Sequence, residues 1–489
     1  MKKLLLLVLA VVGLAPCTQI AAMEHSPTQN IPNNQIWYTS SDGNVVTPRK
    51  TAVFGATITS NTYSNGKGVI TFDGDVTMIG EEAFVYCTSL TSVTIGDNVT
   101  TIGDEAFSGC RSLTSVTIGD SVTTIGAWAF WGCRSLTSVT IPDSVTTIGD
   151  WAFRGCSSLT SVTIPDSVTS IGDEAFSSCS SLTSVTIGDG VTAIGARAFD
   201  WCENLTSVTI GDSVTTIGRY AFSPCPNLAS VTIGDGVTTI GDGAFAGCNS
   251  LVQFNGKFAE DNGRILVIDG TLVAFAPAGL TRYIVPNSVT SIGENAFRDC
   301  DNLTSVTIGN NVTTIGKFAF YDCSSLTNVT VPDSVTTIGA RAFYGCNNLA
   351  KFKGKLSKDK GRILVVDGTL VAFAPAGLTR YIVPNSVTSI GENAFRDCDN
   401  LTSVTIPDSV TTIGENAFYG CSSLTSVTIG KGVSVIGEDA FQRCNIDTIV
   451  CCAKIPPKLD DSFDKFENLI VPTGCEEAYA NSDWGKYLE

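Results

Sequence analysis

Catalysis needs groups that accept protons, attack or coordinate, and in this chain of 489 residues they follow a pattern. The single histidine is His25, near the N-terminus. Ser-His and Cys-His nucleophile pairs and imidazole zinc sites therefore have no material further along. Eighteen cysteines are present. Fourteen of them hold one repeated position, every 23 residues from Cys87 to Cys248, from Cys300 to Cys346 and from Cys398 to Cys444. A thiol set beside phenylalanine in each unit reads as a small buried apolar group. Cys451, Cys452 and Cys475 fall outside this ladder, and a disulfide from Cys475 to Cys451 or Cys452 stands as the alternative to free thiols there. Carboxylates recur too: Asp97, Asp120, Asp143, Asp166, Asp189, Asp212, Asp235, Asp333 and Asp408, with Asn310 in the same series. Stacked units would set these in a row about 5 Å apart. One reading is turn chemistry and the other a weak calcium edge, but single carboxylates in a row lack the six to eight oxygens calcium takes. The expectation is no catalytic residue, no metal and no cofactor.

One group of side chains breaks the uniformity. Trp128 and Trp151 hold the same position in adjacent units, Trp131 and Arg154 share another, and Arg134 follows Cys133. Trp and Arg are the types most enriched at binding hot spots. These five residues are the candidate contact site; the competing reading is that the rings lie flat and shield Phe130 and Phe153.

What must position all of these is a repeat. The stretch LTSVTIPDSVTTIGDWAFRGCSS, residues 136–158, returns every 23 residues for most of the chain. Such a period marks a solenoid. Val139 and Ile141 alternate with Ser138 and Thr140, the signature of a strand with one buried face. Asp150 to Cys156 reads as one short helical turn with Ala152 and Phe153 inward and Gly155 ending it. The expected fold is an α/β solenoid of strand-plus-helical-turn coils. One unit buries too little apolar surface to offset its own backbone entropy, so neighbours must stack.

Residues 1–22 combine MKK with a short apolar run and the small pair Ala21-Ala22, which reads as a secretory signal peptide too short to span a membrane. A second reading takes Leu14-Ala15-Pro16-Cys17 as a lipidation box, with Pro16 where Gly or Ala is wanted. Residues 23–35 read as a flexible tether, 36–89 as an N-terminal cap with a first partial repeat (Val69 to Phe72 aligning with a repeat strand), 90–450 as the solenoid and 451–489 as a C-terminal cap. At Leu251 the rhythm breaks: the next strand leucine, Leu280, lies 29 residues on, and Asp269-Gly270 sits between two apolar runs as a hairpin signal. The same block returns 98 residues later around Asp367-Gly368. Either the duplication has no function of its own, or each hairpin projects from the solenoid as a contact element.

The pattern L-x-x-V-x-I-[PG]-x-x-V-x-x-I-x-x-x-A-F-x-x-C resembles the BspA-like leucine-rich repeat family of bacterial surface proteins, and the tail at Val471-Pro472-Thr473-Gly474 and Ala478-Tyr479 to Trp484 resembles the family's C-terminal end. The resemblance implies a right-handed leucine-rich solenoid, exported to the cell surface or beyond, that attaches or recognises rather than catalyses. The partner expected is an extracellular protein or glycan; the alternative is a surface spacer without a specific ligand. A net charge of −17 argues against nucleic acid.

Overall fold

The computed structural model describes residues 31–487. The stretches read as a signal peptide or a lipidation box, and His25, lie outside them. Ile31 is already buried and the first strand takes up Gln35, so the last residues assigned to the tether belong to the cap.

Each coil contributes two strands. The S-V-T-I strands pair in parallel with their copies one coil on, as Ser161↔Ser184 through Ile164↔Ile187. The T-I pairs form a second parallel sheet, eight strands from Met78–Ile79 to Thr239–Ile240. Because the register shift is always one repeat, each apolar residue packs on its own copy. Phe107, Phe130, Phe153 and Phe176 stack with centroids 5.1–5.3 Å apart and rings within 7° of parallel.

The third side of the coil is not helical. Amides of Trp151, Phe153 and Gly155 donate to carbonyls of Asp173, Ala175 and Ser177 in the next coil at 2.8 Å. Those between, Ala152, Arg154 and Cys156, donate three residues back, at 3.3, 3.0 and 3.1 Å. A helix would aim successive amides along its own axis at the carbonyl four residues back, and would not send every second one sideways to the neighbouring coil. Left-handed φ at Trp151 (55°) and Gly155 (73°) produces the alternation, so the segment is a run of linked turns. The α/β description is thereby corrected to a β-solenoid; the one α-helix among the described residues is Glu476–Ala480.

The N-terminal cap covers the first coil by reversing direction. Gln35–Ser40 runs antiparallel to Leu90–Thr94 and to Lys67–Phe72. Val69 to Phe72, expected to align with a repeat strand, thus belongs to an antiparallel cap sheet and not to a coil. At the other end Phe463 extends the ring stack on Phe441 (5.0 Å), and the fully buried Tyr479 and Trp484 donate to Ala453 O and Pro457 O, both at 2.8 Å.

The hairpins form as read: Ile265–Ile268 and Thr271–Phe275 are antiparallel around Asp269 (φ 48°) and Gly270 (φ 74°), left-handed as a two-residue turn requires. They do not project. Leu266, Ala274 and Ala276 pack into the core of the preceding coils, while Ile265, Val267, Leu272 and Phe275 belong to the core that follows. The second hairpin, Ile363–Val366 and Thr369–Phe373, divides its faces the same way. Each is a joint that ends one stack and templates the next, with Arg264 Nη1 donating to Ala276 O (3.2 Å) and Ala278 O (2.9 Å) across the first.

Close stacking also fixes the T-I-G glycine. A Cβ on Gly172 would lie 2.6 Å from both Asp150 N and Gly149 C. Gly172→Ala is expected to lower stability by about 1–3 kcal/mol through overpacking. Gly74→Ala, whose added Cβ meets nothing nearer than Ala56 Cβ at 3.8 Å, should change it by less than about 0.5 kcal/mol. Denaturant midpoints of the two variants check this.

Candidate binding surface

The thiols are part of the stack. Cys133, Cys156 and Cys179 are fully buried, each Sγ donating to the phenylalanine carbonyl of the preceding coil at 3.2–3.3 Å. Burial pushes the Cys133 and Cys179 thiols up to about 12, which keeps them protonated and poorly nucleophilic at neutral pH. The C-terminal staple is not formed: Cys451, Cys452 and Cys475 are free, and Cys451 Sγ lies 3.1 Å from Tyr479 Oη, whose one proton goes to Ala453 O.

The aspartate row is used by the backbone. Asp166 Oδ1 accepts from Asp189 N at 2.8 Å, Asp212 Oδ1 from Asp235 N at 2.9 Å, and Asn287 stands in for the acid toward Asn310 N at 3.2 Å. These side chains, with Asp97 and Asp408 in the same role, brace the next coil's turn. Among the described residues no group of three His, Cys, Asp or Glu is placed to hold a metal.

The turn side carries the five candidate residues. Trp128 and Trp151 occupy left-handed positions, φ 59° and 55°, and stack with centroids 4.7 Å apart. Trp131 lies 6.0 Å from Trp128, tilted by 57°. All three rings are half-buried. Arg154 pairs with Glu174 of the next coil, while Arg134 is exposed and enters no ion pair among the described residues. Four of the five thus share one side of two adjacent coils; among the described residues the Arg134 side chain makes no hydrogen bond, ion pair or cation–π contact with them.

The surface extends further than the expectation. Trp201, 53% exposed, sits where earlier coils hold Gly132 and Gly155 and the adjacent coils hold Ser178 and Pro224. Tyr220 lies beneath the guanidinium groups of Arg197 (5.5 Å), Arg219 (5.0 Å) and Arg298 (5.7 Å). Tyr321 stacks on Tyr344 at 4.8 Å, and Arg396 lies 4.1 Å over Tyr419. Beside the second hairpin Tyr344, Arg396, Asp397, Tyr419 and Arg443 border an open depression of ≈ 430 Å³. All of these fall at the variable positions around Ala-Phe; comparing those positions across every coil, rather than between residues 127 and 156, is the signal that finds them.

Residues 77–195, 153–258, 272–358 and 371–470 match the family described as BspA type leucine rich repeat region. Among solved structures, a leucine rich cell surface protein from Faecalibacterium prausnitzii A2-165 is 30% identical, with a TM-score of 0.51 over 81% of this chain and 93% of that one. Leucine-rich repeat proteins from Bacteroides ovatus ATCC 8483 (29% identity, TM-score 0.45, 83% and 89% covered) and Eubacterium ventriosum ATCC 27560 (22%, 0.48, 72% and 90%) are also similar. No curated protein matches the chain.

Thiol accessibility reports directly on the stack. With folded protein at pH 8, a maleimide is expected to modify exposed Cys452 first and the half-buried Cys87 and Cys475 more slowly, while the buried repeat cysteines react only after unfolding. Peptide mass spectrometry at timed intervals gives the order; early labelling of Cys156 would show that the columns open.

Proposed function

This chain belongs to the BspA-type leucine-rich repeat family, and on that footing we propose that it is an exported, surface-exposed binding protein that attaches to extracellular protein or glycan and catalyses nothing. The F. prausnitzii relative is a cell surface protein by its own description, and the apolar run at residues 4–15 is of leader type. No helix among the described residues is long and apolar enough to cross a membrane.

One observation carries the binding reading: tryptophan at left-handed backbone. Sister coils place Glu105 and Glu174 where Trp128 and Trp151 stand. A large ring gains nothing there as core, since Phe130 and Phe153 are already fully buried beneath their own stack. A rigid, half-exposed aromatic group with Arg154 beside it is the composition of a contact patch.

Trp128→Glu, Trp131→Ser and Trp151→Glu together restore residues that sister coils carry, so the thermal midpoint should move little. On an array of purified extracellular-matrix proteins and glycans, the variant is expected to bind the wild-type partner at least about tenfold more weakly. Undiminished binding would remove the turn side as the contact surface. A wild-type chain that binds nothing on the array would instead leave the role of surface spacer.

A further inference from the structure

The two hairpin blocks are nearly identical from Gly263 and Gly361 onward, and their divergence is concentrated just before. Residues 251–264 read LVQFNGKFAEDNGR, and their copies 349–362 read LAKFKGKLSKDKGR. The first holds two cations and two acids; the second holds six cations and one acid, inside a chain of net charge −17. Gln253, Asn255, Glu260 and Asn262 are replaced by Lys351, Lys353, Lys358 and Lys360.

These lysines are gathered by the fold. Lys351 and Lys353 lie on the strand Lys351–Lys353 with Phe352 buried between them, aligned with Asn328 and Thr330 of the preceding coil. The turn bearing Lys358 and Lys360 folds back on that strand: a Cβ on Gly361 would lie 2.6 Å from Lys351 Cγ. All four are exposed and none enters an ion pair among the described residues. The one acid of the block, Asp359, is engaged by Tyr381 Oη at 2.9 Å. Beyond the joint, exposed Arg380 holds the matching outward position.

Nothing in the fold calls for this charge, because the first block builds the same hairpin without it. It also has a conformational cost. Lys360 sits at φ 55°, the left-handed position that Asn262 fills at φ 56° in the first copy, and asparagine tolerates that region far better than lysine. Accumulated like charge and a strained lysine together indicate selection for a ligand.

We propose that the lysine block before the second hairpin binds a flexible anionic polysaccharide bearing sulfate or uronate groups. The proposal rests on the reading of the chain as an extracellular binding protein and assigns one of its ligands. Lysines alternating along a strand stand about 7 Å apart, a linear spacing suited to charges along a chain. A planar anionic membrane or a rigid duplex would press its charge against exposed Asp333 in the adjoining coil, whereas a thin polymer meets the lysines alone. The hydroxyls and amides of adjoining strands, such as Thr330 and Asn328, are at hand for sugar hydroxyls.

The test uses the full chain on dextran sulfate, polygalacturonate and neutral dextran between 50 and 500 mM salt, salt points chosen at about the range where charge contacts are screened. Binding to at least one of the two polyanions, absent on neutral dextran and falling steeply with salt, is expected. Lys351→Gln, Lys353→Asn, Lys358→Glu and Lys360→Asn together recreate the first block's residues, so folding is retained, and should weaken that binding by about tenfold or more. Polyanion binding unchanged by the four replacements overturns the inference, as does preference for phosphatidylserine vesicles or duplex DNA, or a salt-sensitive dimer seen by light scattering. A chain that binds array proteins or neutral glycans but no polyanion overturns it while the broader binding role stands; a chain that binds nothing on either platform overturns both.

Discussion

Every coil must rise by one strand spacing, because three sides of it hydrogen-bond to the next. Strand pairs such as Ser161↔Ser184, T-I pairs such as Ile148↔Ile171 and turn amides such as Phe153 N to Ala175 O all link residues a single repeat apart or nearly so. A spacing of about 5 Å leaves each side chain facing its own copy. Large rings then must lie parallel, as the phenylalanines do, and backbone that approaches this closely excludes a Cβ at the T-I-G glycine. Cysteine suits the turn position for the same reason: it is small, apolar, and its proton reaches the phenylalanine carbonyl of the coil before.

This constraint explains how the chain can vary where it does. Turn-side residues flanking Ala-Phe are not members of the apolar columns, so their identity varies, and the left-handed positions accept Glu, Trp, Arg, Tyr or Asn in different coils. The backbone strain is held by ladders on both sides of the turn. Aromatic and arginine side chains placed there meet their neighbours at coil spacing, which produces the Trp128–Trp151 and Tyr321–Tyr344 stacks without any need for a pocket.

The hairpins answer a different problem. A stack of near-identical coils has no internal boundary, and inserting an antiparallel pair buried on both faces creates one while keeping the core continuous in its apolar character. At each joint the turn column is interrupted, and polar contacts such as Arg219 to Glu294 (2.7 Å) and Arg341 Nε to Asn393 Oδ1 (2.9 Å) bridge the gap. Duplication of the whole block then permitted one copy to change its charge without disturbing the other.

The repeat length, the inward positions and the hairpin turns were legible in the sequence, because periodic burial and the Asp-Gly pair are local signals: Leu136, Val139, Ile148 and Phe153 are all buried, and Asp269-Gly270 is a turn. Two things only the tertiary structure decided. The Asp150-to-Cys156 segment has the composition of a helical turn, yet its alternate amides are claimed by the next coil, a competition that no single unit reveals. Likewise the hairpin strands are continuous apolar runs, Ile265 to Ile268 and Leu272 to Phe275, whose composition does not say what covers each face; which core each face joins, and the antiparallel cap at Val69 to Phe72, depend on which stack lies on either side.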